Sequence, residues 1–505
     1  MSTDSRHHDG HDPSPRGIAG LIAGPVLALL TLVLVDTGSM EGNRTAAVAV
    51  LMAVWWITEA IPLAATALLP LALFPTLGVS GANDVSKDYV NWIIFLFIGG
   101  FLVAIAMQRW NLHRRLALNV LLVAGGKPTR IVLGFMASTA FLSMWISNTA
   151  TTMMMVPIGL AVILNVEERF GPSAAKSLGV PILLGTAYAA SIGGIATLVG
   201  TPPNGSLAGI FEQSFPDRDA ISFAPWMFFA LPLSLLLFAV AAVYLVLLTK
   251  SSALGGKPVE TDLSHVREEL KKLGPMAREE RMVAIVFVSL ALAWLFRSKL
   301  ELGFVAIPGW SSLLTKPEMV NDGTVAMIFA LLLFLLPARQ GKARRLLETD
   351  AFGKLPWGIV VLFGGGFALA GAFQDSGLSL YVGEQLAGLK DVHPIVLVAV
   401  ICVCVTFLTE LTSNTASAQI LLPLLASLAA EIGVDPLLLM VPAAVSCSCA
   451  FMLPVATPPN AIAFGSQRLT IGQMLRAGLI LNLAGVLIVV LATFLWGGAT
   501  LGIAK

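Results

Sequence analysis

Apolar runs of about 20 residues recur along this chain, and an α-helix needs about that length to cross a hydrocarbon layer. Only 12% of its 505 residues are charged and 56% are hydrophobic, which leaves too little polar surface for a soluble globule of this size. The sequence therefore predicts an all-α polytopic membrane protein and excludes a soluble enzyme, a nucleic-acid binder and a disordered scaffold. The apolar runs lie near 17–36, 45–75, 91–108, 180–212, 225–249, 281–297, 323–337, 357–373, 436–464 and 477–499, and two more, near 131–165 and 394–430, are interrupted by Ser-Asn-Thr.

The charges of the loops predict how these runs cross the membrane, because Lys and Arg collect in cytoplasmic loops. Three loops are basic, with five Lys or Arg in 109–130, seven in 250–281 and five in 338–354. All three basic loops lie on the cytoplasmic side under two conditions. The run 45–75 must be two short spans, broken at Thr58–Pro62, and both Ser-Asn-Thr segments must be re-entrant hairpins. This arrangement has about eleven spans, a cytoplasmic N-terminus and an outside C-terminus. We expect a bacterial inner membrane.

An internal repeat is the strongest signal in the chain. Trp92 and Trp357 open similar apolar segments, Ser147-Asn148-Thr149 recurs as Ser413-Asn414-Thr415, and Thr201-Pro202-Pro203-Asn204 recurs as Thr457-Pro458-Pro459-Asn460. Five predicted spans separate the two tryptophan segments, so the repeats have opposite orientations. Inverted repeats with broken helices at matching positions are typical of secondary transporters with a binding site near the midplane.

This repeat divides the chain into predicted regions. They are a disordered cytoplasmic tail (1–16), a first span (17–36), a first repeat (45–249) with its hairpin at 131–165, a cytoplasmic linker (250–280) and a second repeat (281–499) with its hairpin at 394–430.

The repeated motifs suit an anion together with small cations. A hairpin tip presents hydroxyls, an amide and the free N–H groups of the helix that follows it, and such a helix end favours negative charge. Consecutive prolines stop the preceding helix and free carbonyls, such as those of Gly200 and Ala456, which a hard cation could use. Neither motif has a Lys or Arg beside it. Anion binding would therefore depend on co-bound cations, while the alternative is that these polar groups only hydrogen-bond each other between helices.

At these residues the sequence resembles the divalent anion/sodium symporter family, whose members carry di- and tricarboxylates and in some cases sulfate. The resemblance covers about 45–500 and includes Trp56-Ile-Thr-Glu-Ala-Ile-Pro. It implies a homodimer in the lipid membrane, with a scaffold domain and a transport domain that moves as an elevator. It also implies co-transported sodium ions as cofactors, a C4-dicarboxylate such as succinate, malate or fumarate as substrate, and no nucleic-acid partner.

The resemblance also implies which residues bind. Substrate would meet the two tips and the residues at the two broken spans, which are Ser147, Asn148, Thr149, Ser413, Asn414, Thr415, Thr201, Pro202, Thr457 and Pro458. One sodium would lie near Ser143, Ser147, Asn148 and Gly200, and the other near Thr409, Thr412, Asn414 and Ala456. The hydroxyls of Ser143 and Thr409 favour the sodium-coupled branch of the family. A sodium-independent exchanger, or a symporter of citrate or sulfate, remains open.

Other residues carry less weight in the prediction. Glu59 and Glu410 lie in apolar stretches, where an ionisable side chain suggests function. Glu410 could orient a hairpin tip or complete a cation shell, but we prefer a hydrogen-bonding role for both. The pairs Cys402/Cys404 and Cys447/Cys449 have no histidine in their runs and favour a structural role. The sequence has no catalytic motif of an intramembrane enzyme. It also has no symmetric copies that could surround the pore of a channel, so neither class is expected.

Overall fold

The computed structural model describes residues 15–251, 262–301, 306–339 and 343–504, most of which are helical. The helices before the linker are α1 (Pro15–Leu34), α2 (Met40–Thr58), α3 (Leu63–Thr66), α4 (Leu69–Leu77), α5 (Ala82–Asp88), α6 (Trp92–Arg109), α7 (Leu112–Ala124), α8 (Pro128–Ser143), α9 (Asn148–Phe170), α10 (Pro172–Ile195), α11 (Pro202–Ser214) and α12 (Phe223–Ser251). Those after it are α13 (Ser264–Lys272), α14 (Arg278–Leu295), α15 (Asp322–Leu335), α16 (Trp357–Asp375), α17 (Leu378–Leu386), α18 (Pro394–Leu408), α19 (Asn414–Ile432), α20 (Pro436–Cys447), α21 (Pro458–Gly465), α22 (Ile471–Leu495) and α23 (Gly497–Leu501).

The prediction of an all-α membrane protein is confirmed, apart from one small sheet. The strands β1 (Leu300–Glu301) and β2 (Ala306–Ile307) pair antiparallel between α14 and α15. Four 3₁₀ helices are Trp310–Leu313, Pro317–Met319, Thr349–Lys354 and Ala387–Leu389. Of the expected disordered tail, 1–14 lies outside the described residues, and Pro15 and Arg16 already belong to α1. Of the expected linker, 252–261 lies outside them, and α13 forms in the remainder.

Within the described ranges, eight helices are long and apolar enough to cross a membrane. They are Arg16–Leu34, Trp92–Arg109, Asn148–Phe170, Pro172–Ile195, Phe223–Thr249, Trp357–Asp375, Asn414–Ile432 and Ile471–Leu495. Shorter apolar helices are Leu63–Leu77, Asp322–Leu335 and Pro436–Cys447. The helix α14 is not among the eight, and its first turn carries four charged residues. The count of about eleven spans stays a prediction.

Helices end at the positions where the sequence predicted breaks. The predicted break between the two short spans of 45–75 falls after Thr58. There Glu59 adopts the left-handed backbone conformation with φ 50°, and Pro62 precedes α3. The helices α8 and α9 are separated by 144–147, and α18 and α19 by 409–413. The helices α10 and α11 are separated by 196–201, and α20 and α21 by 448–457. Each of these last two breaks ends at a Pro-Pro pair, whose missing N–H groups suit the first turn of a new helix.

The broken segments of the two halves pack crosswise. In the first half α8 and α9 both pack on α10, and in the second half α18 and α20 pack together, with α19 also on α20. Between the halves, α9 packs on α21 and α19 packs on α11. Each second hairpin arm therefore meets the broken span of the other half.

The three basic loops meet on one side of the molecule. Arg109 Nη1 lies 3.2 Å from Asp350 Oδ1, Arg115 Nε bonds Glu280 Oε1 at 2.6 Å, and Arg114 pairs with Glu269. Hydrogen bonding from Lys272, with the charge of Arg114, holds the pKa of Glu269 below its usual value. These contacts join loops 109–130, 250–281 and 338–354, as a common membrane face requires.

Candidate functional site

Both Ser-Asn-Thr motifs begin a helix at a break in the chain. Ser147 is the N-cap of α9, and its Oγ accepts a hydrogen bond from the N–H of Ala150 at 3.3 Å. Ser413 is the N-cap of α19. The next two residues, Asn148–Thr149 and Asn414–Thr415, form the first turns and are partly exposed. Free N–H groups of two apolar helices thus open beside the predicted substrate residues, which suits an anion.

The same hydrogen bond closes each tip. Ser143 Oγ donates to Asn148 Oδ1 at 2.6 Å, and Thr409 Oγ1 donates to Asn414 Oδ1 at 2.7 Å. Thr409 Oγ1 also lies 2.9 Å from the carbonyl oxygen of Cys447. Both hydroxyls are fully buried. The structure therefore brings together the two residues of each predicted sodium set that lie on either side of a tip.

The breaks after α10 and α20 are each held by an asparagine. Asn204 Nδ2 donates to the carbonyl of Thr197 at 2.8 Å and to those of Gly194 and Ile195 at 3.3 and 3.2 Å. Asn460 Nδ2 donates in the same way to the carbonyls of Ala450 and Leu453, at 3.2 and 3.0 Å. These bonds take up carbonyls that the end of a helix leaves without N–H partners.

The carbonyls of Gly200 and Ala456, which the sequence predicts to be available to a cation, are not taken up in this way. Neither accepts a hydrogen bond from the described part of the chain. The first predicted sodium site is tightly packed around Gly194, where an added Cβ would lie 2.6 Å from Asn148 Oδ1 and 3.1 Å from the oxygen of Gly200. Hydroxyl, amide and carbonyl oxygens from three chain segments thus gather beside one glycine. Oxygen donors of this kind bind hard cations.

The remaining predicted residues take different positions. Thr201 and Thr457 are the buried N-caps of α11 and α21, and Thr457 Oγ1 accepts from the N–H of Asn460 at 3.3 Å. Pro202 and Pro458 open those helices. The helix that follows each tip packs on one of these two helices, α19 on α11 and α9 on α21.

Thr412 stands apart from the rest of its predicted sodium set. Its hydroxyl lies 2.7 Å from Ser417 Oγ and donates to the carbonyl of Leu408 at 3.0 Å. Within the described residues it has no hydrogen bond to Thr409 or Asn414. Thr412 is therefore the weakest member of the predicted set as far as its side chain is concerned.

Glu410 holds the backbone of the second broken span. Its Oε1 accepts from the N–H groups of Phe451 and Met452 at 2.8 Å each, and its Oε2 from that of Leu453 at 2.9 Å. Asn482 Nδ2 donates to Oε1 at 2.8 Å. This agrees with the hydrogen-bonding role that we preferred. Glu59, by contrast, is exposed at the C-terminus of α2.

Some contacts were missed by sequence reasoning. Gln419 Nε2 donates to Ser206 Oγ at 3.1 Å and so joins α19 to α11. Asn482 was also missed, although an amide within the apolar run 477–499 is a signal that could have found it. For Gly194 no local signal exists, because its role depends on Asn148 in another helix.

The cysteines form no metal centre in the described residues, where no group of three or more His, Cys, Asp or Glu could hold an ion. Cys402, Cys447 and Cys449 are buried free thiols, and Cys404 is exposed.

Comparison with known proteins adds evidence on the family and fold. The family model described as "Sodium:sulfate symporter transmembrane region" matches residues 22–503. The sodium-dependent dicarboxylate transporter SdcS of Staphylococcus saprophyticus is 44% identical over 493 residues, covering 96% of this chain and 92% of that protein. SdcS of Staphylococcus aureus is 43% identical with the same coverage. These relatives are transporters and not enzymes, as predicted for this chain.

A solved structure supports the fold. The Alcanivorax borkumensis YdaH transporter aligns with a TM-score of 0.54 over 90% of this chain and 98% of its own, at 16% identity. At this identity the likeness concerns the fold alone.

Proposed function

Because this chain belongs to the divalent anion:sodium symporter family, as its motifs predicted, we propose that it imports a C4-dicarboxylate together with sodium ions. The observation that carries the proposal is the pair of matching tips, each closed by a buried hydroxyl on an asparagine, at 2.6 and 2.7 Å. The names of the SdcS relatives favour a dicarboxylate. The C4-dicarboxylates that we propose are succinate, malate and fumarate.

The substrate would bind between the two tips. Each carboxylate would take the first-turn N–H groups and side chains of one Ser-Asn-Thr motif, with the N-termini of α11 and α21 beside them. The helices α9 and α19 have 23 and 19 residues, so their N-termini supply partial positive charge. No Lys or Arg lies in either motif. The negative charge would be balanced largely by bound cations.

Sodium would occupy two oxygen-lined sites. The first would use Ser143, Ser147, Asn148 and Gly200, and the second Thr409, Thr412, Asn414 and Ala456. The asparagine in each set also belongs to a substrate-binding motif. Filling the cation sites would therefore fix the tips in the form that binds the anion, which couples the two ligands.

We propose that the molecule consists of a moving transport domain and a fixed scaffold. The segments α8–α12 and α18–α22 carry all the proposed ligands and pack on one another, so we assign them to a transport domain that slides as an elevator. The helices α2–α6 and α14–α16 would form the scaffold and the homodimer contact. The N-terminus and the basic loops would be cytoplasmic, in a bacterial inner membrane.

The test is uptake of radiolabelled succinate into proteoliposomes with an inward sodium gradient, a potassium gradient or none. We expect uptake into empty vesicles that requires sodium. Uptake only into succinate-loaded vesicles, regardless of sodium, would instead establish the sodium-independent exchanger. If succinate is not carried, labelled citrate and sulfate follow, and the family's description specifically favours sulfate.

The site is tested by Asn148→Ala and Asn414→Ala. Each variant removes the amide that closes one tip, so we expect at least a hundredfold loss of sodium-dependent uptake, with the protein still folded and assembled. Asn119→Ala, which changes an exposed asparagine on α7, is the matched control. Wild-type uptake by both tip variants would refute the assignment.

A further inference from the structure

We propose that a groove between α10, α12 and α22 binds the headgroup of an anionic phospholipid. The groove is a cavity of about 350 Å³, lined by the start of α10, the end of α12 and the start of α22. It lies far along α10 from the break at 196–201 and shares no residue with the proposed transport site. Arg169, just before α10, bonds Asp262 at 2.6 Å, so the groove opens on the face of the molecule that carries the basic loops.

The lining of the groove changes from polar to apolar along a single helix face. The α10 residues that line it are Ser173, Lys176, Ser177, Val180, Pro181 and Leu184. Their spacing of three and four residues places them on one side of the helix. From Ser173 to Leu184 this face runs about 16 Å at the rise of an α-helix. A headgroup followed by the first part of an acyl chain has the same order of polarity.

Two cations stand at the polar end. Lys176 and Arg476 are exposed, and within the described residues neither has an ion-pair partner. Their basic neighbours differ in this respect, because Arg468 pairs with Glu167 at 2.7 Å and Arg169 with Asp262. The groove therefore keeps two positive charges for a ligand, with the amide of Gln473 and the hydroxyl of Tyr244 beside them. A phosphodiester fits this set of donors.

The surroundings favour a lipid over a free phosphate ion. Next to the groove, α12 exposes Val243 and Leu247, and α22 exposes Leu475 and Leu479. Large apolar side chains that stay exposed on membrane helices face lipid tails. The apolar end of the groove thus continues onto lipid-facing surface, where acyl chains would lie. Basic pockets between transmembrane helices are known binding sites for anionic headgroups.

Binding is tested by native mass spectrometry of the purified full-length protein after delipidation. It is titrated with dioleoylphosphatidylglycerol, dioleoylphosphatidylcholine or glycerol phosphate. We expect one tightly held phosphatidylglycerol, much weaker binding of phosphatidylcholine and no retained glycerol phosphate. Lys176→Gln with Arg476→Gln should weaken the binding of phosphatidylglycerol about twenty-five-fold, because each cation contributes about fivefold. Lys176→Arg with Arg476→Lys should keep it.

The matched control is Arg267→Gln with Lys271→Gln, which removes two exposed cations from α13 on the same side. It should leave phosphatidylglycerol binding unchanged. Equal binding of the two lipids, or equal losses in the groove and control variants, would overturn the proposal. Glycerol phosphate held as tightly as the lipid would overturn it in favour of a soluble anion site. Because the readout is lipid binding, a failure here is separate from any failure of the proposed transport.

Discussion

At the scale of single residues, each half of the molecule uses one asparagine to close a tip and another to hold a break. The first pair is Asn148 and Asn414, and the second is Asn204 and Asn460. An amide suits both tasks, because it offers an oxygen to a hydroxyl or cation and N–H donors to carbonyls. Small residues complete these contacts, as Gly194 does beside Asn148.

Gly194→Ala is expected to impair sodium use specifically. The new methyl group would lie 2.6 Å from Asn148 Oδ1 and 3.1 Å from the Gly200 oxygen, so both proposed ligands must shift. We expect the sodium concentration for half-maximal uptake to rise at least tenfold. The control is Gly465→Ala at the end of α21, where an added Cβ meets no heavy atom within 4 Å. Unchanged sodium dependence in Gly194→Ala would contradict the first sodium site.

Asp88, in the short helix α5, predicts a pH effect on stability. Burial raises its pKa to about 6, the carboxylates of Asp375 and Asp84 add to this, and a hydrogen bond from Gln213 opposes it. The folded state therefore binds the proton more tightly than the unfolded chain, and ionised Asp88 destabilises the fold above pH 6. This penalty fades as the pH falls through 6 towards 4.

Asp88→Asn should accordingly raise the melting temperature by about 2 °C at pH 8, and by less at pH 4.5, in scanning fluorimetry. The amide keeps an acceptor for Gln213 but cannot ionise. Asp391→Asn, which changes an exposed aspartate that does not act on Asp88, is the control and should not stabilise the protein. A gain that is equal at both pH values would rule out Asp88 ionisation as its cause.

At the scale of elements, the two breaks differ in the contacts that support them besides their asparagine. In the second half Glu410 accepts three backbone N–H groups between α20 and α21, whereas in the first half Thr197 Oγ1 donates to the carbonyl of Met144 at 2.5 Å. A buried carboxylate is stable there only because its oxygens are fully bonded. The backbone between α20 and α21 therefore depends strongly on the side chain of Glu410.

Glu410→Gln is expected to destabilise the second break. A glutamine offers one carbonyl oxygen and adds two N–H donors, so at least one backbone N–H loses its partner. A lost bond to a charged group costs about 1.5–3 kcal/mol. The melting temperature should fall by several degrees and uptake should drop, while Glu384→Gln, an exposed change on α17, should do neither. Wild-type stability in Glu410→Gln would contradict this role.

The helices and their breaks were predictable to the extent that local chemistry sets them. The helices α2, α10 and α20 end near the positions that prolines and N-cap residues predict. These residues stop or start a helix within one turn, so their effect can be predicted from the local sequence. The number of spans was harder to predict, because short helices such as α3 and α4 gain their stability from packing. The small sheet of β1 and β2 has no apolar alternation to reveal it. Contacts such as Gln419 to Ser206 join residues 213 positions apart and leave no local trace.

At the scale of the whole molecule, the end of α11 is tied to the neighbouring helices. Trp92 Nε1 donates to Glu212 Oε2 at 2.6 Å, and Gln213 Nε2 donates to Asp88 Oδ1 at 2.9 Å. These bonds connect a helix that begins at the proposed substrate site with α5 and α6. If the transport domain moves as a body, they must break in each cycle.

Cross-linking this contact should stop transport. In a Cys404→Ser background, Asp88→Cys with Gln213→Cys would be joined by a short bifunctional methanethiosulfonate. We expect uptake to fall at least tenfold and to return after reduction with dithiothreitol. Each single cysteine variant, treated with the same reagent, should keep its uptake. Full uptake by completely cross-linked protein would show that α11 does not move relative to α5.

The crosswise packing of α9 on α21 and of α19 on α11 also constrains how the protein is made. The ribosome completes the first hairpin some 290 residues before it synthesises α21. During that interval the polar tip at Ser147–Thr149 has no α21 to pack on. A chain that stops after α19 would leave the first tip without α21, however well its first half had been inserted. The polar groups that a truncated protein would leave uncovered are thus the same groups that we propose to bind the ligands.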